Sequence, residues 1–85
     1  VGVSVTMPGK FAALRFADEH TGRAEQVGSA NTLVRTANGW RADNTDIDGV
    51  VGALGPQRGR ALVCGSGGTA PAAVVGLATL GVDEI

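Results

Sequence analysis

The sequence predicts an α/β fold, and three observations carry that prediction. Val1, Val3 and Val5 alternate with Gly2, Ser4 and Thr6, the period of a half-buried strand. Ile47, Val50, Val51 and Leu54 fall at i, i+3, i+4 and i+7, one apolar stripe on a helix. The apolar run Ala61-Leu62-Val63-Cys64 enters the turn Gly65-Ser66-Gly67-Gly68, and residues 69–80 continue as a helix.

Each element has a local reason. After the first strand, Pro8 suits the first turn of a helix, where its missing N–H costs nothing. Phe11, Leu14 and Ala17-Asp18 continue at helical spacing, and Thr21-Gly22 marks the stop. A short segment, residues 23–27, then leads to Gly28. Residues 30–36 are β-rich, and Ala37-Asn38-Gly39 separates them from Trp40-Arg41-Ala42-Asp43. Asn-Gly between two such runs is a strong hairpin signal. Asp46 can cap the helix that carries the apolar stripe, and Gly55-Pro56 ends it. Residues 57–60 form a polar linker and the best domain boundary. Residues 60–64 read as a short buried strand, with Cys64 a small buried residue at its end. Pro71 sits in the first turn of the last helix, and Gly81 fits its C-terminal stop. His20 reads as a solvent-facing helix-end residue, and Trp40 packs on the hairpin.

Composition narrows the function. Fourteen glycines in 85 residues is about twice the usual share, so tight turns and close backbone approaches are common. A net charge of −1 gives no basic field for nucleic acid and no polybasic patch for a membrane. No apolar run reaches the ~20 residues of a membrane-spanning helix, and one cysteine excludes an internal disulfide and a cysteine-rich metal site. We expect a cytoplasmic protein with a small-molecule ligand and no metal, nucleic-acid or membrane partner. Val1–Val5 reads as a strand already under way, and residues 82–85 as the lead-in to another. The chain therefore reads as an internal part of a longer enzyme.

The spacing Gly65-x-Gly67-x-x-Ala70 after a strand matches the dinucleotide fingerprint, with alanine in its last place. Gly65 makes the tight turn, Gly67 admits the pyrophosphate to the backbone, and Ala70 allows close helix packing. The helix N-terminus then offers N–H groups and positive partial charge to the phosphates. A residue at the end of the following strand chooses between NAD and NADP, so these residues leave that choice open.

Lys10 follows the end of the first strand, and Asp46 closes Asn44-Thr45-Asp46 after the hairpin. Singly, a lysine on an opening helical turn is a solvated charge and an aspartate there is a cap. In an open α/β sheet, however, ligands bind beyond the carboxyl ends of the strands, so both segments belong to one rim.

The segments Val5-Thr6-Met7-Pro8-Gly9-Lys10, Gly28-Ser29-Ala30-Asn31-Thr32-Leu33, Asn44-Thr45-Asp46-Ile47-Asp48-Gly49 and Cys64-Gly65-Ser66-Gly67-Gly68-Thr69-Ala70 together resemble the shikimate dehydrogenase family. The motifs stand in the family's order and cover nearly the whole chain. The resemblance implies part of an N-terminal α/β substrate domain, joined by a helix to the first βαβ unit of a Rossmann-like NADP-binding domain. Residues 1–46 would be the C-terminal part of the substrate domain, 47–59 the connecting helix and linker, and 60–85 the start of the dinucleotide domain. It also implies reversible, NADPH-dependent reduction of 3-dehydroshikimate to shikimate, a step of aromatic amino-acid biosynthesis. Lys10 and Asp46 would form the catalytic pair, and Thr6, Lys10, Asn31 and Asp46 would contact the substrate. Gly65, Ser66, Gly67, Gly68 and Thr69 would hold the cofactor's pyrophosphate. The full-length enzyme is compatible with a homodimer. A quinate or aminoshikimate relative would carry the same Lys–Asp pair, and a non-catalytic nucleotide-binding module would keep the turn without needing the pair.

Overall fold

The computed structural model describes residues 1–56, 58–65 and 67–85. It divides into two compact units, Val1–Thr45 and Asp46–Ile85. Each is described by itself.

The first unit is a mixed sheet of four strands in the order β1-β3-β4-β2. These are β1 (Gly2–Ser4), β2 (Glu19–His20), β3 (Thr32–Thr36) and β4 (Gly39–Asp43), with helices α1 (Lys10–Phe16) and α2 (Gly22–Val27) between β1 and β3. The hairpin is present: β3 and β4 pair antiparallel from Thr32↔Asp43 to Thr36↔Gly39. Its turn is not one with two left-handed residues, because no non-glycine residue among those described has positive φ. Gly39 has φ +133°, and a Cβ on it would meet the Asp18 carboxylate, whose Cγ lies 2.7 Å away. Asp18 bonds this corner on both sides: its N–H donates to the Trp40 carbonyl and its Oδ2 accepts from the Trp40 amide, each at 2.9 Å. Trp40 also packs against the core, and the Arg35 guanidinium stands 5.4 Å from its ring centroid.

Several local expectations change here. Pro8 precedes α1 instead of opening it, with Gly9 as N-cap. The inward residue of α1 is Ala13, whereas Phe11 is exposed, because Ala13 meets Ala30, Leu33 and Ala42 of the core. Thr21-Gly22 starts a helix and does not end one. The Thr21 hydroxyl accepts from the Ala24 amide at 3.3 Å, capping α2, which Gly28 closes in the left-handed region at φ +83°. The chain before it is the short strand β2, parallel to β4, so His20 lies exposed on a strand. The first strand is exposed along its length, an edge strand among the described residues.

The second unit contains α3 (Asp46–Leu54) and α4 (Ala70–Leu80). The stripe of α3 faces α4: Ile47 is buried, and Gly76 of α4 approaches Val50 so closely that a Cβ would stand 2.9 Å from Val50 Cγ1. Leu54, at the end of the stripe, is exposed. Gly81, at φ +99°, closes α4, and the Val82 amide donates back to the Leu77 carbonyl at 3.2 Å.

Residues 60–64 do not form the buried strand that their composition predicts. Their parallel partner near Glu84 meets them at one bridge, Arg60↔Glu84, with the Ala61 amide donating to the Glu84 carbonyl at 2.8 Å. A strand needs a ladder, and one bridge does not make one. Leu62 is therefore 86% exposed, and Cys64 is an exposed free thiol instead of a buried one.

Candidate functional site

The order and directions of the strands gather chosen residues at one edge of the first unit. Because β1 and β4 both run antiparallel to β3, the ends of β1 and β4 lie beside the start of β3. Thr6 leaves β1 at this rim, Asn31 enters β3 there, and Asn44 and Thr45 leave β4 there. Backbone hydrogen bonds close the arrangement. The Val5 amide donates to the Asn31 carbonyl at 2.7 Å, and the Gly9 amide to the Thr6 carbonyl at 2.9 Å. That turn delivers Lys10 to the first position of α1, and the Lys10 carbonyl accepts from the Ala30 amide at 2.9 Å. Thr6 is exposed, and Lys10 and Asn31 are half-buried.

The Asn31 carboxamide is held in one orientation. Its Oδ1 accepts from the Thr45 amide and from Thr32 Oγ1, both at 2.9 Å, and its Nδ2 donates to Thr45 Oγ1 at 2.7 Å. Beneath it, Asn44 is completely buried and donates through Nδ2 to the Ser29 carbonyl at 3.0 Å and to Ser29 Oγ at 3.3 Å. Ser29 is equally buried. A buried amide that finds its partners fixes the backbone on both sides of it.

Sequence reasoning passed over the strongest polar cluster of this unit. The Asp43 carboxylate accepts from Arg23 Nε at 2.7 Å and Arg23 Nη2 at 2.8 Å, from Thr21 Oγ1 at 2.8 Å and from the Asn44 amide at 2.8 Å. The paired guanidinium holds the Asp43 carboxyl well below the usual carboxylate range, with Thr21 and the Asn44 amide adding to it and partial burial opposing it. No motif spacing links Arg23 to Asp43, since the parallel register of β2 and β4 creates the contact.

Asp46 and the glycine turn lie in the second unit. Asp46 is the first residue of α3 and half-buried. Of the turn, Gly65, Gly67, Gly68 and Thr69 are described, and Ser66 lies outside the described residues. Gly65 takes φ +134°, which L side chains rarely adopt, and space is open where a Cβ would stand on Gly65 or Gly67. Thr69 is the N-cap of α4 without a side-chain cap bond, and the first turn holds no acidic residue. Glycine backbone ahead of a helix N-terminus is the type of arrangement that a dinucleotide pyrophosphate uses.

Comparison with known proteins agrees with the motifs. Residues 1–33 match the shikimate dehydrogenase substrate binding domain. An NADP(+) shikimate dehydrogenase of Maricaulis maris is 45% identical over 99% of this chain, which spans 32% of that protein. A pentafunctional AROM polypeptide of Yarrowia lipolytica is 43% identical over 99% of the chain, here 6% of the relative. Among solved structures, the shikimate dehydrogenase of Mycobacterium tuberculosis is 84% identical with a TM-score of 0.91, over 96% of this chain and 31% of that one. That of Thermus thermophilus, in complex with NADP(H) and shikimate, is 27% identical with a TM-score of 0.76, over 98% of this chain and 33% of that one. The chain thus spans about a third of the length of its curated shikimate dehydrogenase relatives. Within that span the α/β fold and the resemblance read from the four motifs both hold.

Proposed function

We propose that this chain, similar along its whole length to shikimate dehydrogenases, is part of an NADP-dependent enzyme that reversibly reduces 3-dehydroshikimate to shikimate. The observation that carries the reading is the rim of the first unit. Backbone hydrogen bonds tie the segments that carry Thr6, Lys10 and Asn31 to it, in the unit whose first residues match a substrate-binding domain. Residues 1–46 are the end of that domain, 47–59 the connector, and 60–85 the start of a Rossmann-like cofactor domain.

In this reading Thr6 and Asn31 hydrogen-bond substrate hydroxyls. The bonds from Thr32 and Thr45 to its oxygen hold the Asn31 amide in one orientation, which favours directional recognition of a hydroxyl. Lys10 Nζ gives a proton to the reacting oxygen during reduction and takes it back during oxidation, and Asp46 orients the lysine and one hydroxyl. Acid–base assistance of this kind is worth roughly 10²–10⁴-fold. Gly65, Gly67, Gly68 and Thr69, with Ser66 by sequence, hold the pyrophosphate of NADP. When bound, that cofactor supplies the hydride chemistry.

The test is an absorbance assay of the full-length protein with shikimate and NADP+. Growth of the reduced-cofactor band is expected. Reduction with quinate but not with shikimate would overturn the substrate, and none with either would overturn the enzyme.

A further inference from the structure

We propose that Arg23 and Asp43 are positioning residues for the substrate site, their ion pair setting where Asn31 stands. The inference rests on the function proposed above and assigns roles to two residues outside its catalytic and binding set.

The argument is geometric. Asp43 is the last residue of β4, and its main chain and side chain face different neighbours. Its carbonyl accepts from the Asn31 amide at 3.1 Å, while its carboxylate takes four donors from Thr21, Arg23 and Asn44. Three consecutive residues are therefore pinned in succession: Asp43 to α2, Asn44 to Ser29, and Thr45 to the Asn31 side chain. The first pin is the only charged one among these contacts, and its two-pronged Arg–carboxylate geometry fixes direction as well as distance.

Stability alone is a poor account of the pair. Its side chains are 36% and 22% exposed, so water screens part of the attraction, and a contribution to folding does not by itself call for a two-pronged contact at the last residue of β4. What such a pair can fix is the angle at which β4 hands its last residues to the rim. A small displacement of Asn31 weakens hydrogen bonds to substrate hydroxyls while leaving Lys10 its proton to transfer.

The experiment measures steady-state kinetics of the full-length enzyme and of Arg23→Met and Asp43→Asn, which keep side-chain bulk. KM for shikimate should rise about tenfold, with kcat and the KM for NADP+ changed less than about threefold. Arg23→Lys, keeping the charge but not the fork, should recover only part of the loss. The double variant should be no worse than the worse single one, because the two residues act as a unit. Where Arg23→Met does not fold, Arg23→Lys carries the same comparison. A wild type that works beside folded variants with unchanged KM for shikimate overturns this inference alone. So do variants whose activity falls only in proportion to their folded fraction. A wild type without shikimate turnover overturns the function, and this inference with it.

Discussion

Thr45 and Asn31 hold each other through two hydrogen bonds, the Thr45 amide donating to Asn31 Oδ1 at 2.9 Å and Asn31 Nδ2 donating to Thr45 Oγ1 at 2.7 Å. This bracket joins the start of β3 to the end of β4 beyond the last paired residues of the hairpin. It also decides which end of the Asn31 amide is oxygen.

Thr45→Val removes the hydroxyl and keeps the shape. One bond of the bracket is lost, at a cost of about 1 kcal/mol, since the site is exposed and water replaces part of it. Thr45→Ser restores the acceptor and should unfold in urea at the wild-type midpoint. Equal midpoints for Val and wild type would show that the side-chain bond contributes nothing.

Lys10→Met tests the proton transfer proposed for this lysine. Turnover in the full-length enzyme should fall roughly 10²–10⁴-fold, the usual value of a positioned acid–base group. NADP+ affinity, measured by calorimetry, should stay within about twofold, because Lys10 lies in the unit that lacks the glycine turn. Retained turnover would remove Lys10 from the chemistry.

Asp43 makes the stability depend on pH in a definite direction. Its folded carboxyl is held below the unfolded value of about 3.9, first by Arg23 and then by Thr21 and the Asn44 amide. The unfolded chain therefore binds the proton more readily, and stability rises with pH. The contribution is complete at neutral pH and is lost as the pH falls below about 5 towards the depressed value. Urea midpoints of Asp43→Asn should lie below wild type at pH 7, with a gap that narrows between pH 5 and pH 3 without closing there. A constant gap across that range would place the loss in packing instead of charge.

How much of this was legible depends on the range of the interaction that decides each element. The hairpin was legible because its turn and both strands are contiguous, and the last helix because Pro71 and Gly81 bracket it. Thr21 misled because a Thr-Gly pair can end one helix or cap the next. The choice was made by β2, two residues whose pairing with Arg41 and Ala42 no local pattern announces. Residues 60–64 have the composition of a buried strand, yet burial comes from neighbours, and here one bridge supplies too little. Thr6, Lys10, Asn31 and Asp46 could be singled out because they stand in motifs. Arg23 and Asp43 were missed because their contact is made by register.

Two glycines of the second unit should respond to substitution with opposite signs. In α3, Gly52 has nothing within 4 Å of where a Cβ would stand, so Gly52→Ala adds no clash. It reduces the freedom of the unfolded chain and raises helix propensity, which should stabilise by about 0.5–1 kcal/mol. Gly76 of α4 makes the same propensity argument and loses it. A Cβ there would stand 2.9 Å from Val50 Cγ1 and 3.1 Å from Val50 Cβ, atoms on a stiff branched side chain next to the helix backbone. Gly76→Val must push α3 and α4 apart or force Val50 off its rotamer, which costs about 2 kcal/mol after the small propensity gain. Denaturant midpoints of the two variants in the full-length protein should therefore fall on either side of wild type. A stabilising Gly76→Val would mean that the two helices do not pack through Gly76 and Val50.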